Sequence, residues 1–172
     1  VQNDADAKTL RGQGFKDVRV LKGAVTFNGV KLSKTGGQHG TDLFYADPER
    51  AQMGGSVMGV VFSAPKAKTV YVAGDTVWRP EVDQALAQHR PDVVILNTGS
   101  ALVSGFEEHP IIMGKQDTLQ ATKSAPKAAI VAVHMDSVNH MSLSRKELRE
   151  FVQDNKIQDR VVIPEDGEVM KF

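Results

Sequence analysis

Cysteine is absent from the 172 residues. That excludes disulfide bonds, zinc–thiolate centres and a cysteine nucleophile. A cytoplasmic setting is expected, and a periplasmic one suits a cysteine-free chain equally well. Neither sign of charge is in excess, with 21 basic and 21 acidic residues. The Lys and Arg residues are interleaved with Asp and Glu and form no run. Nucleic-acid binders concentrate positive charge for phosphates, so no nucleic-acid partner is expected. No apolar stretch approaches the roughly 20 residues of a membrane span, and no membrane association is expected. No secretory leader is visible. An initiator Met is also lacking. The opening Val1-Gln2-Asn3-Asp4 reads like the interior of a longer polypeptide.

What is present is ordinary globular composition, 41% hydrophobic and 24% charged. The length suits one domain across residues 1–172, large enough to bury a proper core. Residues 4–10 are expected to form a helix capped by Asp4 and ended by Gly12 or Gly14. Residues 18–21 and 24–27 are expected strands of a hairpin about Lys22-Gly23. Asn28-Gly29 marks a tight turn before a strand over 30–33. Residues 34–56 carry Gly36-Gly37 and Gly54-Gly55 and are expected to form an irregular loop. Such loops often hold function because rigid neighbours position them.

From residue 57 onward strands alternate with helices. Strands are expected over 57–63, 69–73, 92–97, 128–133 and 161–163, and helices over 80–88 and 117–124. Pro80 suits a first helical turn. Ser144 with Glu147 forms a capping box that opens a last long helix. Asp166-Gly167 suggests a final hairpin whose second strand covers 168–171. The continuous apolar runs read as strands covered on both faces. Strands first and strand–helix alternation afterwards define an α/β layered domain.

Three apolar strands end in a polar residue: Asp75 after Val70-Tyr71-Val72-Ala73-Gly74, Asn97 after Val93-Val94-Ile95-Leu96, and His134 after Ile130-Val131-Ala132-Val133. Sites in layered α/β sheets gather at the carboxyl ends of strands, so these three are expected on one sheet edge. His39, in the glycine-rich loop, is a fourth candidate. Two imidazoles and a carboxylate suit Zn²⁺, and also Mn²⁺ or Fe²⁺. Each residue also has a plainer reading. A histidine is usually a surface or satisfied core residue, an Asp after Gly commonly caps a turn, and Asn97 can simply orient a loop.

The ordered motifs Gln38-His39-Gly40-Thr41, Val70-Tyr71-Val72-Ala73-Gly74-Asp75-Thr76 and Val131-Ala132-Val133-His134-Met135-Asp136 resemble the later motifs of the metallo-β-lactamase superfamily. The likeness is to its bacterial metal-dependent hydrolases, the group that includes ascorbate-phosphate lactonase-like proteins. Asn97-Thr98-Gly99, Pro110-Ile111-Ile112-Met113, Asn139-His140 and the stretch from Leu143 to Leu148 extend it over nearly the whole chain. The resemblance implies the C-terminal portion of an αββα sandwich, with two divalent ions, zinc foremost, in the complete protein. It makes His39 a ligand of the first ion, Asp75 the bridge and His134 a ligand of the second, with Asp75 and His134 as the catalytic pair. Asn97, His109, His140 and Trp78 become candidates for the substrate pocket. Trp78 has a plain packing role as its alternative, and His109 simple solvent exposure.

The superfamily's His-x-His-x-Asp-His motif has no counterpart in these residues. The resemblance therefore implies a metal-dependent hydrolase of a small-molecule ester, lactone or phosphoester, incomplete in this chain, which alone is expected to be inactive. The face meant for the first sheet is expected to be apolar and open, to be covered by a missing N-terminal segment or a second copy. The alternative, from another class, is a non-catalytic assembly module that pairs through that face.

Overall fold

The computed structural model describes residues 1–136 and 138–172. It holds one seven-stranded sheet whose strands lie side by side in chain order. Helix α1 (Asp4–Gly12) comes first, capped by Asn3, whose side chain accepts from the Asp6 N–H. Asp4 lies in the first turn instead, where its charge favours the helix N-terminus. Strands β1 (Ala24–Phe27) and β2 (Val30–Thr35) form the first hairpin. Asn28 and Gly29, with φ of 47° and 80°, supply the two left-handed residues that a type I′ turn needs. Lys22-Gly23 forms no hairpin. Residues 18–21 are not a strand and instead meet the chain's start, where Leu21 N–H donates to the Val1 carbonyl.

Residues 34–56 also differ from expectation, for they hold two short helices, α2 (Asp42–Tyr45) and α3 (Pro48–Gly54). Thr41 caps the first. Asp47 caps the second by accepting from Glu49 and Arg50 N–H, with Pro48 at the first position. Local caps here outweigh the surrounding glycines, which fall at the ends.

Strands β3 (Gly59–Ser63) and β4 (Val70–Val72) continue the antiparallel half. Then the sheet turns parallel: β4, β5 (Val93–Asn97), β6 (Ala129–Val133) and β7 (Val161–Val162) run in one direction. The crossovers carry α4 (Pro80–His89), α5 (Lys115–Ser124) and α6 (Arg145–Asp154). The capping box of α6 forms as expected, with Ser144 and Glu147 bonding each other's N–H. No strand follows Asp166-Gly167. The turn closes, but Glu165 and Asp166 pair with Arg149 and Arg145, and Val169 projects into solvent.

One face of the sheet presents Val61, Tyr71, Val94, Leu96, Ile130 and Ala132. These pack against Val82, Ala85 and Leu86 of α4, Ala121 of α5, and Leu148 and Val152 of α6. The opposite face presents Val60, Phe62, Val70, Val72, Ile95 and Val133, each partly exposed, with Val93 and Val131 buried among them. Lys34, on this second face, donates to the Gln2 carbonyl and ties the segment leading into α1 to that side. No described helix is long and apolar enough to cross a membrane.

Candidate metal centre

The parallel register brings Val72, Ile95 and Val131 level across three strands. Their carboxyl ends therefore open on one edge, and each releases its polar residue there. After β4, Gly74 adopts φ of 74°, and a Cβ on it would stand 3.0 Å from the Met58 carbonyl oxygen. Glycine thus permits the turn that presents Asp75. Asn97 ends β5 on the partly open face, in step with Val93 and Ile95. Its Nδ2 donates to Asp75 Oδ1 at 2.6 Å.

After β6, His134 takes φ of 68° and Asp136 φ of 60°. Left-handed backbone is costly for side-chain-bearing residues and persists only where neighbours enforce it. Several neighbours do so here. Thr98 N–H donates to the Val133 carbonyl at 2.9 Å. A Cβ at Gly99 would lie 2.2 Å from the His134 carbonyl oxygen, so only glycine fits. Asp136 accepts from the Arg145 N–H and from its guanidinium, at 3.1 and 3.2 Å. So held, His134 places Nε2 3.7 Å from Asp75 Oδ1.

His39 arrives from the loop between β2 and α2, and that loop is stitched to the segment after Asp75. Gln38 N–H donates to Thr76 Oγ1 at 2.9 Å, and Val77 N–H to the Gln38 carbonyl at 3.0 Å. Burial pushes the His39 imidazole below the ordinary histidine value. The Asp75 charge opposes this, while His134 and His140 reinforce it. The neutral imidazole that results is the form that ligates metal.

The structure thus gathers Asp75, Asn97, His134 and His39, with His140 beside His39 on the wall of one cavity. Trp78 and His109 do not line that cavity. Trp78 packs against the helix-side core and donates its indole N–H to Asp83 at 3.1 Å. His109 stacks on Phe106, with ring centroids 4.9 Å apart. Among the described residues, no three His, Asp or Glu side chains are placed so as to enclose an ion by themselves. Two imidazoles and one carboxylate are donor types that divalent ions take, and further donors would be needed to complete the ligand sets of two ions.

Sequence reasoning passed over Asp136 and Arg145 as positioning residues. The only available signal was an acid two residues past a candidate ligand. It also passed over the cavity of about 340 Å³ lined by Phe44, Met53, Leu102, Val103 and Ile111 alongside His39 and His140. Those apolar residues come from three separate loops and helices, and no periodicity joins them.

This fold has close parallels. The chain is 40% identical over all 172 residues to the UPF0173 protein YddR of Bacillus subtilis, and spans 65% of that protein's length. A "possible metal-dependent hydrolase" from Veillonella parvula superposes with a TM-score of 0.95 at 48% identity, covering 97% of this chain and 63% of that one. An isothiocyanate hydrolase from Delia radicum gut bacteria superposes at 0.94 with 46% identity, covering 99% of this chain and 65% of that one. The metallo-β-lactamase fold protein YhfI of Bacillus subtilis shares the fold, at 12% identity and a TM-score of 0.65, covering 96% of this chain and 60% of that one. No family model matches the chain. The chain has the metallo-β-lactamase fold, and the proteins it is similar to include ones named metal-dependent hydrolases.

Proposed function

We propose that this chain is the C-terminal portion of a metal-dependent hydrolase that cleaves a small electrophilic substrate, an ester, lactone or phosphoester, with water held between two divalent ions. Zinc is the first candidate, manganese and iron the others. His39 would serve one ion, His134 the other, and Asp75 both, with the remaining donors supplied from outside these residues. The observation that carries the reading is the Asp75 carboxylate, positioned by Asn97 and set beside His134 and His39 at one sheet edge. When bound, the ion pair would supply an acidified water and a Lewis acid for the substrate's electrophile. The chain's own part is to orient. Asn97 fixes the Asp75 rotamer, the Asp136–Arg145 clamp fixes the turn under His134, and burial keeps His39 neutral.

A second substrate class has a specific observation behind it. The solved neighbour at 46% identity is an isothiocyanate hydrolase. The carbon of an N=C=S group is an electrophile open to the same attack by water, and its hydrolysis needs no change of site. The partly open sheet face supports a partner as well, either an N-terminal segment forming the facing sheet or a second copy of the chain.

Elemental analysis of the full-length protein tests the reading. About two ions per chain, falling to one or none in Asp75→Ala, is the expected result. Unchanged metal content in both Asp75→Ala and His134→Ala would sink the ligand assignment.

A further inference from the structure

The cavity beside His39 and His140 has a character that the metal site alone does not dictate. Its volume is about 340 Å³, within the range of small-molecule sites. His39 and His140 form one end. The rest is Phe44, Met53, Gly54, Leu102, Val103 and Ile111. Among the described residues, no Lys, Arg, Asp or Glu side chain lines it. Arg50 of α3 is engaged elsewhere, with its guanidinium over the Phe106 ring at 4.5 Å and paired to Asp47 at 3.3 Å. The wall is a built one. Phe44 is fully buried and stacks edge-on against Tyr45 and Phe106, at 5.8 and 5.7 Å. Ala101 and Ile112 lie buried behind it.

We infer that this cavity receives an uncharged, apolar substituent of ring size, and that it makes the enzyme select substrates whose substituent is neutral over those whose substituent carries a charge. The inference rests on the proposed hydrolase reading and narrows it. A carboxylate or phosphate on that substituent would bring formal charge into the cavity. Against aliphatic walls that charge would lose hydration with no cationic side chain to replace it. An aryl or branched alkyl group instead exchanges water for the Phe44, Leu102, Val103 and Ile111 side chains, a favourable transfer. The substrate's reacting carbon then lies at the His39 end, toward Asp75.

Two experiments decide it, both on the full-length protein. In the metal-loaded enzyme, kcat/KM is compared for phenyl acetate and benzyl isothiocyanate against the charged counterparts 4-carboxyphenyl acetate and 4-carboxybenzyl isothiocyanate. A preference of about 100-fold or more for the neutral member of a pair is expected. Met53→Lys, an exposed position on the cavity rim, should reduce that preference about tenfold without changing metal content. Equal turnover of both members, or a preference for the anion, overturns the inference. The second experiment needs no catalysis: benzyl alcohol is titrated into metal-free protein labelled at its methionine methyl groups. A saturable shift of the Met53 methyl that Val103→Asp abolishes is expected, and no shift overturns the inference. Turnover of neither pair together with benzyl alcohol binding would refute the hydrolase reading while upholding the apolar subsite.

Discussion

The two faces of the sheet are made by the same strands and meet different surroundings. Along β5, Val94 and Leu96 are completely buried under the helices, while Ile95 between them is partly exposed on the other side. Tyr71 and Val72, and Ala132 and Val133, divide in the same way. An unbroken apolar run is the pattern of a strand covered twice, and within these residues helices cover it once. The lesson is that stability and chemistry have been put on opposite sides. The covered face holds the core, and the partly open face carries Asn97 and, at its carboxyl end, the candidate metal site.

The largest effect expected from breaking this contrast is on folding. Ile130→Ala, on the covered face, should cost about 2–5 kcal/mol in urea unfolding, as a cavity in a closed core does. Ile95→Ala, across the same sheet, should cost only about 1 kcal/mol in this chain. Equal losses would show that something covers the second face in solution. Next comes the site. Asp75→Ala should weaken metal binding by more than about 100-fold in a chelator competition, while the urea midpoint of the metal-free protein moves by less than about 0.5 kcal/mol. A large shift of that midpoint would mean Asp75 is a structural turn residue.

A smaller effect is expected from the residues that orient ligands. Asn97→Ala and Arg145→Ala should each weaken metal binding about tenfold. Arg145→Lys should recover little of it, because only the guanidinium fork reaches Asp136, Asp166 and the Pro164 carbonyl together. The smallest effect is on pH dependence and belongs to the covered side. Burial holds the Asp117 carboxyl above its usual value, while its bond from the Gly114 N–H works the other way. The native state thus binds more protons than the unfolded one between about pH 3.9 and the raised value. This group's contribution to stability therefore increases as pH falls through that window. Asp117→Asn should remove the increment, which urea midpoints at several pH values would register.

Legibility in the sequence followed the range of the forces involved. The helix over 80–88, the Asn28-Gly29 turn and the Ser144 capping box were readable because each is decided within a few residues. The hairpin at Lys22-Gly23 and the strand over 168–171 were misread for the opposite reason. Pairing depends on what lies alongside, and the Val1 segment and the Arg145 and Arg149 side chains occupy those places. Helices α2 and α3 run against the expected loop because the Thr41 and Asp47-Pro48 caps start them despite the flanking glycines.

By itself the sequence determined the α/β class, the strand-end positions of Asp75, Asn97 and His134, and the absence of thiol chemistry. Those follow from residue type and local periodicity, which do not need a folded partner. Only tertiary structure decided that His39 is tied beside Asp75 through Thr76, that Arg145 braces the left-handed turn at His134, and that five apolar side chains line a cavity next to His39. Each of those joins residues far apart in the chain, and their distances are set by packing across the sheet rather than by any local pattern.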